Sequence, residues 1–254
     1  MEQNVGLLTD YDRVRYQRQM MIQNWGEAGQ SKLKSASVFI AGAGGLGSPV
    51  SYYLAVAGVG EIRICDADCV ELSNLNRQIL HFDARIDELK AVSAGKTLRA
   101  LNPAIRVITY SDRLSADTVD RLVGKADIVV DCLDNYDARF VLNTYCLRHH
   151  IPLVHGAVSG MWGQVTFLRP PEGPCLRCIF PQTPPAEPVP VVGAAPGLVG
   201  CIEALEVLKY LTGIGSLLKG RLLLVDGAEM SFESIVIERN PSCPDCGALE
   251  DSLS

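Results

Sequence analysis

"FIAGAGGLGSPVSYYLAVAGVGEIRICDAD", residues 39–68, decides the fold. It reads as an apolar strand, a glycine-rich turn, a helix, a second strand and an acid. Gly42-Ala43-Gly44-Gly45-Leu46-Gly47 fits G-x-G-x-x-G in the context that pattern needs, after a strand and at the opening of a helix. Gly42 permits the tight turn, Gly44 or Gly45 lets backbone approach a phosphate, and Gly47 lets helix and strand pack closely. The helix N-terminus offers free N–H groups and partial positive charge to an anion. Asp66 ends the second strand and is placed to accept hydrogen bonds from ribose hydroxyls. NAD and ATP both carry ribose and phosphate, so this stretch alone leaves redox and nucleotide-transfer chemistry open.

Outward from this unit, strands and helices alternate. Apolar strands are expected over 105–110, 127–134 and 151–158. Helices are expected over 45–58, 87–101, 115–126 (with Ser115 as cap) and 137–150, and residues 1–34 read as helix. Such alternation predicts an α/β fold, a Rossmann-like and mostly parallel sheet with helices on both faces. Past residue 160 the pattern changes. A strand over 163–170 leads to a proline-rich crossing loop over 181–197, then a helix over 198–211 opening at Gly197. Residues 221–240 read as paired strands turning at Asp226-Gly227, an antiparallel C-terminal extension. This divides the chain into N-terminal helices (1–34), a nucleotide-binding half (35–160) and a crossing loop with C-terminal part (161–248) within one domain, followed by a flexible tail (249–254).

Bulk composition excludes several classes. Net charge is −6 over 254 residues, so no bulk attraction to nucleic acid or an anionic membrane is expected. No apolar run reaches the ~18 residues of a membrane helix. The N-terminus lacks the pattern of a secretory signal, and a cytoplasmic setting is expected. Nine cysteines, an odd count, argue against a disulfide framework. Four form two C-x-x-C pairs, Cys175/Cys178 and Cys243/Cys246. Two such pairs suit a tetrahedral four-thiolate zinc site with no open position for catalysis, and a redox role is the competing reading. Cys65, Cys69, Cys132, Cys146 and Cys201 read as buried small hydrophobes.

"DADCVELSNLNRQILHFDARIDELK", from Asp66 to Lys90, supplies what the glycine loop lacks. A dehydrogenase needs an acid–base group and a nicotinamide pocket, and neither stands out. Instead Ser73, Asn74, Arg77, Gln78 and Lys90 are donors of the kind phosphates take, with Arg77 and Lys90 the cations a triphosphate needs in the transition state. Asp68 and Asn135 are counted with this nucleotide-binding set. Asp131 and Asp134 fall at the C-terminal end of an apolar strand, the ligand-binding edge of an open parallel sheet. A carboxylate there is a natural magnesium ligand. Asp131 reads equally as a helix cap or a buried structural acid.

"RYQRQ" (15–19), "GAGGLG" (42–47), "DADCVELSNLNRQ" (66–78), Lys90, "DCLDN" (131–135) with Arg139 and Asn143, and the two C-x-x-C pairs follow one another in this order. Together they resemble the ThiF/MoeB/HesA family, prokaryotic relatives of ubiquitin-activating enzymes, from about residue 8 to residue 248. The resemblance implies ATP-dependent adenylation of the C-terminal Gly-Gly carboxylate of a small ubiquitin-like sulfur carrier, yielding an acyl-adenylate and pyrophosphate for sulfur transfer in thiamin, molybdenum or other cofactor synthesis. It further implies that Asp66 holds the ribose, that Asn74, Arg77 and Lys90 hold phosphates, and that Asp134 binds magnesium. Arg18 matches the arginine that reaches into the partner subunit's site, which implies a homodimer with composite sites. Several members carry a reactive cysteine in the crossing loop. Here Ala186 or a neighbour stands in its place and the loop has none, so a thiol from a separate sulfurtransferase, or sulfide, would complete the reaction. Competing readings are activation of another carboxylate, a nucleotide-binding partner without turnover and, more distantly, an NAD-dependent dehydrogenase.

Overall fold

The computed structural model describes residues 6–182 and 190–248. The expected tail and the place of Ala186 lie outside them. Eight strands form one sheet: β1 (Ser37–Ala41), β2 (Glu61–Cys65), β3 (Arg106–Tyr110), β4 (Ile128–Asp131), β5 (Leu153–Ser159), β6 (Trp162–Leu168), β7 (Arg221–Asp226) and β8 (Ser231–Val236). Their order is β3-β2-β1-β4-β5-β6-β7-β8. The pairings from β3 through to β5 are parallel, and β6, β7 and β8 join antiparallel. The α/β class and the antiparallel extension are as the sequence predicts.

The parallel strands are apolar on both faces because helices cover both. Their side chains divide by the two-residue period of a strand. Val38, Ile40, Ile62, Ile64, Ile128, Val130 and Val154 enter one core cluster. They meet Leu33, Leu54, Leu98 and Val207 from α3 (Gly26–Ser35), α4 (Gly47–Ala57), α5 (Lys90–Leu101) and α9 (Ala194–Thr212). Phe39, Ala41, Cys65, Val129 and Leu153 enter the other, against Leu122, Phe140 and Leu176 from α6 (Val119–Val123), α7 (Tyr136–His149) and α8 (Leu176–Ile179). The helix α9 lies close on α4 and the sheet because two glycines let it. A Cβ at Gly200 would stand 2.5 Å from Pro49, and one at Gly163 would stand 2.2 Å from Val199.

Several expectations are corrected. Residues 1–34 are not one helix: α1 (Asp10–Arg15) and α2 (Gln17–Met20) precede α3, and positive φ at Asn24 and Gly26 breaks the run. Asp87 has φ 70°, so the helix expected from it begins only at Lys90. Ser115 does not cap α6, which starts four residues later and carries no side-chain cap bond. The late helix begins at Ala194 rather than Gly197, so the last residues assigned to the crossing loop are helical. Cys69 is exposed and Cys201 half-buried, unlike the three buried cysteines Cys65, Cys132 and Cys146.

Candidate functional site

Strand order reverses at β1: the chain leaves it for β2 on one side and returns to it as β4 on the other. At such a switch point the two following loops part and leave a crevice beyond the strand ends. The glycine loop follows β1 and the Asp131–Asn135 loop follows β4, so both border that crevice. The glycine loop packs tightly there. Gly42 has φ 101°, and a Cβ on it would stand 2.6 Å from the Cys132 carbonyl oxygen. A Cβ on Gly47 would stand 2.0 Å from the Gly42 oxygen.

One cleft of about 1430 Å³ opens over these loops, lined by Gly42, Gly44, Gly45, Asp66, Asp68, Arg77, Gln78, Lys90, Asp134 and Asn135. Single small-molecule pockets occupy about 300–1,000 Å³, so this one has room for a nucleotide and part of a second substrate. Gly44 and Gly45 make no amide hydrogen bond among the described residues. At the N-terminus of α4, such free donors suit a phosphate. Gln78 lines the same cleft, is buried, and its Oε1 has no partner among the described residues. A buried orphan acceptor of this kind is costly unless a ligand or water supplies the donor.

Asp66 accepts from the Ala43 amide at 2.8 Å and the Asp68 amide at 2.9 Å. Burial raises its pKa above the ordinary carboxylate value, against those two bonds and the Lys90 charge. Lys90 is buried and opens α5, a helix with no acid in its first turn and no side-chain cap. A cation at a helix N-terminus opposes the dipole, so local stability does not explain this lysine. Its Nζ lies 3.2 Å from the exposed Asp68 carboxylate. Arg77 donates to the Ser73 carbonyl and to Asn76 Oδ1, both at 2.9 Å.

The two aspartates at the end of β4 differ sharply. Asp131 is fully buried, 2.7 Å from His155 Nδ1 and 3.5 Å from Arg139 Nε. Burial alone would raise its pKa, but the Arg139 charge and the His155 bond hold it below the usual range. Burial keeps His155 neutral. Its Nδ1–H therefore donates to Asp131, and Nε2 is left to accept from Gln164 Nε2 at 3.4 Å. Of the alternatives for Asp131, the structure selects the buried structural acid. It fixes the loop, since Asp131 Oδ1 accepts from Leu133 N–H at 3.1 Å and Arg139 Nη2 donates to the Leu133 carbonyl. Asp134, next in line, is exposed at the cleft, and among the described residues its only hydrogen bond is from Asn135 Nδ2 at 3.4 Å. That leaves a carboxylate free for a cation, which suits magnesium's habit of taking one or two carboxylates and keeping its waters. Asn135 lines the cleft but also caps α7, its Oδ1 accepting from Ala138 N–H at 2.9 Å.

Three expected residues are not brought into the cleft. Ser73 is exposed and donates to Glu71 at 3.1 Å. Asn74 is buried, its Oδ1 accepting from the Glu71 amide at 3.2 Å. Arg18 is exposed and has no hydrogen-bond or ion-pair partner among the described residues. Its neighbours in the RYQRQ stretch are pinned. Arg15 donates to the Leu101 carbonyl at 2.7 Å, the buried Tyr16 hydroxyl accepts from Asn102 at 2.8 Å, and Gln19 donates to the Ala57 carbonyl at 2.7 Å.

The four paired cysteines gather apart from the cleft, all Sγ atoms within 4.8 Å of one another. Sγ separations of 3.9, 3.7 and 3.4 Å bracket the edge of about 3.8 Å that four zinc–sulfur bonds of about 2.3 Å impose on a tetrahedron. Asn143 of α7 joins both knuckles, donating to Asp245 at 3.0 Å and accepting from Leu176 N–H at 2.9 Å. Sequence reasoning missed His81, which bonds the glycine loop to α5, and the buried Glu203 of α9. Neither belongs to a motif that marks such a role.

The model of the ThiF family matches residues 16–245. The "SAMP-activating enzyme E1" of Haloferax volcanii is 44% identical, over 92% of this chain and 88% of its own length. The "Sulfur carrier protein adenylyltransferase" of Thermus thermophilus is 44% identical, over 92% of this chain and 90% of its own. Among solved structures, that of E. coli MccB with ATP superposes with a TM-score of 0.81 at 25% identity, over 95% of this chain and 76% of that one.

Proposed function

Because this chain belongs to the ThiF family, we propose that it is a magnesium- and ATP-dependent adenylyltransferase. Its second substrate is the C-terminal Gly-Gly carboxylate of a small ubiquitin-like sulfur carrier. The observation that carries this reading is the cleft itself, where free loop amides, Asp66, Arg77, Gln78, Lys90 and Asp134 converge. The relatives' names support the choice of a carrier over another carboxylate. Whether the sulfur serves thiamin, molybdenum cofactor or another product follows from the carrier.

The reaction needs no acid or base. A carboxylate oxygen of the carrier attacks the α-phosphorus, the bond to the bridging oxygen of the β-phosphate breaks, and pyrophosphate leaves with that electron pair. The protein's part is alignment and charge neutralisation. The Gly44 and Gly45 amides receive phosphate oxygens, Asp66 receives the ribose hydroxyls, and Arg77 and Lys90 face the triphosphate. Asp134 would hold magnesium, which supplies charge at the leaving group. The four cysteines would hold one zinc, whose closed thiolate shell leaves it a structural role. Arg18 meets no cleft residue among those described, and the reading assigns it to the site of a second copy in a homodimer. Exposed apolar side chains near it (Tyr11, Val14, Met21, Ile22) and along the segment before Lys90 (Ile79, Phe82, Ile86) support such an interface. With no cysteine between Phe180 and Leu198, sulfur would come from a separate donor, such as a sulfurtransferase.

The test is ATP–pyrophosphate exchange in the presence of a Gly-Gly-ending carrier. Exchange is expected to require magnesium and to fall at least about a hundredfold in Lys90→Ala, the scale of losing one donor to a transition-state anion. Full exchange in Lys90→Ala would overturn the assignment of this cleft.

A further inference from the structure

We propose that His81 is a positioning residue that locks the glycine loop, the Arg77–Gln78 turn and the Lys90 helix into one phosphate cradle. The inference rests on reading the cleft as the nucleotide site. His81 is buried in that fold and does not line the cleft. Its Nε2 lies 2.9 Å from the Ala43 carbonyl oxygen and its Nδ1 lies 2.9 Å from Ser93 Oγ. A carbonyl only accepts, so Nε2 carries the proton and Nδ1 accepts from the serine hydroxyl. One neutral ring thereby satisfies both ends. Burial, with Lys90 and Arg85 nearby, lowers its pKa and keeps it in that form.

Each end of the ring holds a part of the cradle. Ala43 is the second residue of the G-x-G turn. Its N–H is fixed by Asp66 and its C=O by His81, so the peptides on either side of it cannot turn. The second of these peptides carries the Gly44 amide, so the clamp fixes the first of the two unbonded loop amides and the point from which the Gly45 amide follows. Ser93 lies three residues after Lys90, one turn along α5, where residues share a face. The His81 amide itself donates to the Gln78 carbonyl at 3.1 Å, so the ring extends from the turn that carries Arg77 and Gln78. The helix has a second tie, since Thr97 Oγ1 donates to the Leu80 carbonyl at 2.7 Å. Among the described residues the glycine loop itself (42–47) has no second tie to this turn, the nearest being the long bond from Leu80 N–H to Ser48 Oγ at 3.4 Å. Loss of the ring should therefore loosen the loop more than it unfolds the protein.

Two measurements on the whole protein decide this. The first is hydrogen exchange of residues 42–47 and 90–96 in wild type, His81→Ala, His81→Gln and Ser93→Ala, without ligand. The second is calorimetric affinity for ATP with magnesium, without carrier. His81→Ala is expected to speed exchange in both segments selectively. It should weaken ATP binding at least about tenfold, the scale of leaving a buried partner unpaired. His81→Gln retains an N–H that can reach Ala43 and should recover most of the affinity. Ser93→Ala should loosen residues 90–96 and leave 42–47 near wild type. Unchanged exchange at 42–47 in His81→Ala, or speeding spread evenly over the chain, overturns the proposal, as does wild-type ATP affinity in that variant. A wild-type protein that binds no ATP overturns the reading of the cleft instead, and the exchange data still decide whether His81 clamps the loop.

Discussion

Asp131 and Asp134 lie one turn of chain apart and do opposite work. Asp131 is sealed under the cleft by His155 and Arg139, while Asp134 faces it almost unbonded. Asp134→Ala is thus expected to abolish most pyrophosphate exchange with no loss of thermal stability. Asp131→Ala is expected to lower the Tm, because Arg139 is left buried and unpaired. Full exchange in Asp134→Ala would remove it from the metal's place. Glu203 carries a prediction of its own. It is fully buried with both carboxylate oxygens unpartnered among the described residues, and burial, with Asp131 nearby, raises its pKa well above the ordinary carboxylate value. The folded protein keeps this proton at pH values where the unfolded chain has lost it. Stability contributed by the neutral form is therefore full below about pH 4.5 and declines as pH rises toward the folded value, by about 1.4 kcal/mol per unit of separation. Glu203→Gln should flatten that decline, so its Tm relative to wild type should climb with pH in thermal melts. A constant difference would mean Glu203 is ionised in the fold. At this scale the sequence was legible where one residue type can serve, as at Gly42 with its φ of 101°. It left Asp131 open between a helix cap and a buried structural acid, since its partner His155 stands 24 residues away and meets it only through the β4–β5 register.

Among the elements, the parallel strands were legible because unbroken apolar runs between helices have few other homes. The N-terminal breaks were not, since positive φ at Asn24 and Asp87 leaves no apolar signature. The start of α9 was hidden by Pro196, which reads as loop yet is tolerated in a helix's first turn. The C-x-x-C spacing exposed the four-cysteine cluster but not what it ties together. Through Asn143 the knuckles are tied to α7, the helix that begins beside Asp134. Purified protein is expected to contain about one zinc per chain. Chelation or Cys243→Ser should lower the Tm by more than about 5 °C, given about 2–4 °C per kcal/mol for a chain of this size. Metal-free protein of unchanged Tm would show that the thiols alone suffice.

For the whole molecule, the question is where Arg18 acts. Its side chain has no hydrogen-bond or ion-pair partner among the described residues, although its neighbours in sequence are pinned. If it completes the site of a second copy, Arg18→Ala should bind ATP and fail in adenylation. Mixing it with Lys90→Ala should then restore activity. At random pairing about half the dimers are mixed and each has one intact site of two, giving about a quarter of wild-type activity. No rescue would place Arg18 in cis. No helix among the described residues is long and apolar enough to cross a membrane. The most direct test of the central claim follows the α-phosphate. The chain should be incubated with magnesium and ATP labelled at that phosphate, with a Gly-Gly-ending carrier bearing either a free C-terminal carboxylate or a carboxamide. Label is predicted on the free-carboxylate carrier, with pyrophosphate released, and none on the carboxamide. Equal labelling of both carriers, or none on either while the protein binds ATP, would contradict the account.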